Sequence, residues 1–165
     1  MHDKIYNQQP WSQKAFEVAE KMTADLQKLL PYSKVHFTGA LALKLPGKND
    51  ADISVELPTM EHSELLKSAP AISSYLQREP THIEPNFVQW EYTFGDVEID
   101  CILYSDKFPG MAEQMEIHRK LLAYPTLLEE YRELKDSYNG KPYEVYRRAK
   151  IDFFNRSLGM QEYKL

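Results

Sequence analysis

Apolar side chains recur every three or four positions between Trp11 and Leu30, at Ala15, Phe16, Val18, Ala19, Met22, Leu26, Leu29 and Leu30. That spacing predicts one amphipathic helix, which Pro31 stops. Val35-His36-Phe37 predicts a short strand. The stretch from Gly39 to Lys48, with Gly39, Pro46 and Gly47, predicts a loop holding one helical turn in ALALKL. Ala51 to Leu57 alternates as a strand, with Ile53, Val55 and Leu57 on one side and Asp52, Ser54 and Glu56 on the other. Pro58 ends it. Helical signal follows from Glu61 to Leu66 and again from Ile72 to Leu76. Phe87–Phe94 and Val97–Tyr104 read as a hairpin turning at Phe94-Gly95-Asp96. Beyond Pro109 the pattern is helical: Met111 to Ala123, then Pro125 to Lys135 or Tyr138, then Pro142 to Leu158, with Asn139-Gly140 as the break.

This order predicts an α+β fold: a small mixed β-sheet flanked by helices, with a helical C-terminal half. With 165 residues, one domain over 1–165 is expected, and 108–165 forms its helical C-terminal part. Hydrophobic content of 42% and charged content of 27% exclude a disordered chain, a collagen-like rod or a coiled coil. The lone cysteine, Cys101, excludes a disulfide framework and reads as a small buried side chain. A net charge of −5 argues against a broad basic surface for nucleic acid, although a small basic patch at one site stays open. No run approaches the ~20 apolar residues of a membrane-crossing helix. The segment MHDKIYNQQPW lacks the apolar stretch of a secretory signal, so a cytoplasmic protein is expected.

Carboxylates carry the candidate chemistry. Asp50 and Asp52 open one strand two positions apart and therefore share a face. Asp100 sits in a second apolar strand between Ile99 and Cys101, and Glu98 shares its face. If the two strands are neighbours, three or four carboxylates converge. Clustered anions need positive compensation, and oxygen donors favour hard cations such as Mg2+ or Mn2+. Two such ions about 3.5–4 Å apart are a common device for nucleotidyl transfer. Acidic residues on the solvent face of an edge strand are equally ordinary, so both readings stand on spacing alone.

Gly39 in a loop eleven positions before Asp50, the Asp-x-Asp strand and the later Asp100 together resemble the nucleotidyltransferase superfamily. Three stretches resemble its GrpB branch more closely: YNQQPW; HFTGALALKLPGKNDADISVEL from His36 to Leu57; and YPTLLEEYRELK from Tyr124 with YRRAKIDFF from Tyr146. Pro125, Tyr131, Leu134, Lys135, Tyr146, Lys150 and Phe153 fall on that pattern. The chain departs from it in three places. Thr38-Gly39 stands where the family has Gly-Ser, Asp50 where it has an apolar residue, and Glu98 and Asp100 where it has histidines.

The resemblance implies a nucleotidyltransferase-type fold. It implies transfer of a nucleoside monophosphate from a nucleoside triphosphate to a hydroxyl acceptor by a two-metal mechanism. Asp50, Asp52 and Asp100 would be the catalytic and metal-binding residues, and Thr38, Gly39, Lys48, Lys135 and Lys150 the phosphate-binding ones. Related domains fused to dephospho-coenzyme A kinases imply an alternative, a non-catalytic nucleotide- or coenzyme A-related binding module. A third reading is an interacting protein with an exposed acidic patch. His36 is expected to be a structural histidine. His118, Arg119 and Lys120 form either a substrate groove or a solvated face. Trp11 and Trp90 are expected in or beside the core.

Overall fold

The computed structural model describes residues 4–58, 61–106 and 108–157. Its elements are α1 (Gln13–Leu29), β1 (Lys34–Thr38), α2 (Gly39–Ala42), β2 (Ala51–Leu57), α3 (His62–Leu76), β3 (His82–Ile83), β4 (Phe87–Phe94), β5 (Val97–Ser105), α4 (Pro109–Ala123), α5 (Pro125–Ser137) and α6 (Tyr143–Ser157). The strands form one mixed sheet in the order β1-β2-β5-β4-β3. β2 and β5 run parallel, and the other neighbouring pairs run antiparallel. The α+β architecture expected from the pattern is the one observed.

Alternation along the strands divides the sheet into two unlike faces. Ile53 and Val55 of β2, Val88 and Trp90 of β4, and Cys101 and Leu103 of β5 are fully buried. They pack with Ala15, Ala19 and Leu26 of α1 and Leu65 and Ile72 of α3. Trp90 closes this core and donates its indole N–H to Ser73 Oγ at 3.1 Å. Burial pushes the Cys101 thiol up to about 12, so it stays protonated and inert. The opposite face carries Thr38, Asp52, Ser54, Asp100 and Gln89. It looks toward a second apolar cluster, in which Leu43 and Leu45 meet Ile117 and Leu121 of α4, Tyr131 of α5, and Phe153 and Phe154 of α6. The C-terminal helices thus roof a polar sheet face, and a cleft lies between them.

Two differences from the sequence reading have physical causes. The two helical signals before the hairpin are one helix, α3, with Pro70 inside it. Interior proline costs ~3 kcal/mol or more, but Leu65, Ala69 and Ile72 lie buried on the same side of α3 and hold it against the sheet. The two-residue strand β3 was not foreseen, because His82 and Ile83 are exposed and give no alternation. The expected end of the last helix, Leu158, lies outside the described residues. The hairpin turn is as read, with Gly95 at φ +63° supplying the left-handed step.

Residues 4–12 strap across the molecule. Ile5 pairs with Pro142, and Gln9 pairs with Gly47. Ser12 ends the strap as the N-cap of α1, its hydroxyl accepting from Ala15 N–H at 3.1 Å. Ser12→Ala is expected to cost ~1 kcal/mol, read as a lower urea midpoint at unchanged slope.

Candidate active site

Register brings the carboxylates together. Asp52 of β2 lies directly beside Asp100 of β5, and Thr38 of β1 lies on the other side of Asp52. Lateral neighbours share a face, so all three side chains point to the cleft. Asp50 enters from the loop before β2. Glu91 of β4 pairs with Asp100 from the far side. Gln89 donates its amide to Asp100 Oδ1 at 2.7 Å.

The cleft has two connected halves, both touching Asp50, Asp52, Asp100 and Tyr143. The inner half, about 450 Å³, runs under α4 and α6 and is lined by Thr38, Gly39, Ser54, His118 and Lys150 among others. The outer half, about 560 Å³, opens past Lys4, Glu91, Tyr92 and Glu98.

Gly39 approaches the Asp52 carboxylate closely. It sits at φ +85°, and a Cβ there would lie 2.7 Å from Asp52 Oδ2. The backbone of this turn is therefore pressed against the carboxylate. Thr38, buried at the end of β1, makes no side-chain cap bond to α2, which leaves its hydroxyl outside the helix-capping arrangement.

The electrostatics record the crowding. Burial first, then the charges of Asp50 and Asp100, push the Asp52 carboxyl up to about 8, against the pull of Lys150 and Lys48. Burial also raises Asp100, helped by Glu91 and Asp50 and opposed by the Gln89 hydrogen bond. On the cationic side, burial pulls the half-buried Lys150 down to about 8, although Asp52 and Asp50 favour its charge. Carboxylates thus exceed the cations that face them.

The five residues expected at the phosphates fare differently. Thr38, Gly39 and Lys150 line the cleft. Lys48 lies half-buried beside it, its ammonium 4.4 Å from the centre of the Tyr143 ring. Lys135 is 4% exposed and lines neither half of the cleft, its ammonium lying among tyrosine rings. The His-Arg-Lys run also divides. His118 lines the cleft. Arg119 faces solvent and pairs with Glu116 at 2.6 Å. His36 lies near His118, whose buried Nδ1 has no hydrogen-bond partner among the described residues and whose basicity is lowered by burial and by His36.

No protein-family model matches the chain, and no curated protein matches it. Among solved structures it is similar to Cid1 described for RNA terminal uridylyl transferase activity (15% identity, TM-score 0.44, covering 72% of this chain and 38% of that one). It is similar to a cytoplasmic RNA terminal U-transferase (12%, TM-score 0.44, 68% and 36%). It is also similar to Cid1 in complex with the UTP analogue UMPNPP (13%, TM-score 0.46, 72% and 37%). The chain spans under two fifths of the length of each. Likeness this distant assigns no activity.

Among the described residues, no three His, Cys, Asp or Glu side chains are drawn together as a closed metal-binding group. The donor chemistry still suits a hard cation: Asp52 and Asp100 share one sheet face, Asp50 lines the same cleft, and burial followed by the charges of Asp50 and Asp100 raises Asp52. No described helix is long and apolar enough to cross a membrane.

Proposed function

We propose that this chain is a metal-dependent nucleotidyltransferase of the GrpB type, moving a nucleoside monophosphate from a triphosphate to a hydroxyl acceptor. The observation that carries the reading is the direct pairing of Asp52 with Asp100 across parallel strands, with the Gly39 backbone against the Asp52 carboxylate.

Asp50, Asp52 and Asp100 would hold Mg2+ or Mn2+. When bound, the cations would offset phosphate charge and lower the pKa of a hydroxyl. The chain's own groups account for the remaining requirements. Thr38 and the Gly39 turn would receive the triphosphate, and Lys150, with Lys48 behind it, would balance its charge. The acceptor oxygen forms its bond to the α-phosphorus as the bond from that phosphorus to the pyrophosphate oxygen breaks, and pyrophosphate leaves. Asp100, at the Glu91 side of the cluster, would take the acceptor's proton.

The test is calorimetric titration with manganese and the α,β-imido triphosphates of adenosine and uridine. Wild type is expected to bind one of them only with metal, and Asp100→Asn to lose that dependence. The absence of metal-dependent binding in wild type contradicts the proposal. Thr38-Gly39, in place of the family's Gly-Ser, favours a second reading: nucleotide or coenzyme A-related binding without chemistry. Binding without pyrophosphate release, from cleavable triphosphates with a panel of hydroxyl acceptors, would support it.

A further inference from the structure

Lys135 is a buried cation that the proposed chemistry does not use. Its ammonium donates to Tyr146 Oη at 3.1 Å. It also lies 5.5, 5.3 and 5.4 Å from the ring centres of Tyr6, Tyr131 and Tyr146. Three aromatic faces replace water around it.

Three segments meet at this point. Tyr6, from the N-terminal strap, stacks on Tyr146 at 4.0 Å and 7°. Tyr146 belongs to α6, and the Lys150 ammonium one turn later lies 5.4 Å from the same ring. The third segment is the loop that delivers Asp50. A Cβ on Gly47 would lie 3.6 Å from Lys135 Nζ, so the ammonium abuts that loop. Gly47 exchanges backbone hydrogen bonds with Gln9 at 2.7 and 3.0 Å. Asn49 clamps the same loop, donating to Pro10 O at 2.8 Å and accepting from Ser12 N–H at 3.0 Å.

We infer that Lys135 is a positioning residue for the cleft, fixing Lys150 through Tyr146 and Asp50 through the Gly47 loop. The inference rests on the nucleotidyl-transfer reading for what those two residues do, though not for where they stand. Burial first and then Lys150 lower the Lys135 ammonium to about 7, with Asp50 favouring its charge and Lys48 opposing it, so packing and the Tyr146 hydrogen bond carry the positioning rather than charge. A buried charge is weak evidence of a stabilising role, since an apolar residue of like volume is often neutral or better. That separates the two roles by sign.

Lys135→Met and Tyr146→Phe test this, with manganese and the α,β-imido triphosphates as probes. Lys135→Met is expected to weaken binding about tenfold, as small displacements of aligned groups do, at an unchanged or higher melting temperature. Tyr146→Phe, which keeps the ring, is expected to weaken binding less but to lower the melting temperature, because the buried Lys135 ammonium loses its hydrogen-bond acceptor. Wild-type binding by Lys135→Met overturns the inference. So does a parallel loss of binding and stability in Lys135→Met while Tyr146→Phe binds normally. Crystal structures of ligand-free wild type and Lys135→Met give a readout independent of nucleotide: loop 46–50 and Lys150 are expected to move. Superposable positions overturn the inference, whereas failure of wild type to bind any probe overturns the functional reading alone.

Discussion

In metal-free buffer, Asp52→Asn is expected to gain stability over wild type as pH rises from 4 to 8, and to lose metal-dependent nucleotide binding. The folded Asp52 carboxyl sits at about 8, raised first by burial and then by Asp50 and Asp100. Unfolded aspartate titrates near ~3.9. Between these values the folded protein holds a proton that the unfolded chain has released, so wild-type stability falls with rising pH. Near pH 4 the protonated aspartic acid and asparagine are nearly equivalent. By pH 8 the wild type carries the full cost of the raised carboxyl. Lys150 loses its main carboxylate partner in the variant, which offsets part of the gain. A net advantage of about 2–4 kcal/mol at pH 8 is expected. Urea unfolding at several pH values with chelator present measures it. A variant less stable than wild type at pH 8, or a gap that does not change with pH, contradicts the electrostatic account. Saturating Mg2+ is expected to narrow the gap, because a cation at the carboxylates favours the ionised wild type.

Gly39→Ala is expected to damage both the site and the fold without unfolding the protein. The residue holds φ +85°, where an L side chain costs ~1–2 kcal/mol. The new methyl would also stand 2.7 Å from Asp52 Oδ2. The carboxylate end can swing aside, so the fold survives. Asp52 then leaves the place where its register neighbours Thr38 and Asp100 meet it. Metal-dependent nucleotide affinity is expected to fall at least about tenfold, or ~1.4 kcal/mol, alongside a stability loss of ~1–2 kcal/mol. Calorimetry and urea unfolding on the same preparation separate the two. Unchanged affinity would show that the Gly39 turn takes no part in binding.

Much of this arrangement could be read from residue types. Strand alternation placed Asp52 opposite Ile53, and the hairpin placed Asp100 in a neighbouring apolar strand. Nothing local says that β2 and β5 pair in parallel with these two aspartates side by side, since α3, β3 and β4 lie between the two strands in the chain and only tertiary packing brings them together. Pro70 hid the continuity of α3 because a local rule weighs the missing N–H and cannot weigh burial against the sheet. The spacing from Tyr131 put Lys135 on the same helical face but could not show what surrounds it. Its surroundings are completed by Tyr6, at the other end of the chain, and no helical period reports that. His118 was legible only as part of a charged run. The pairing of Arg119 with Glu116 is local to α4, three positions apart, whereas the turn of His118 toward the cleft depends on how α4 is laid across the sheet.

The most direct measurement is the anomalous signal of manganese in crystals of the wild-type protein grown with an α,β-imido nucleoside triphosphate. The account predicts manganese bounded by Asp50, Asp52 and Asp100, with the triphosphate reaching toward Thr38, Gly39 and Lys150. Manganese bound elsewhere, or a nucleotide seated outside the cleft at saturating concentration, would contradict it.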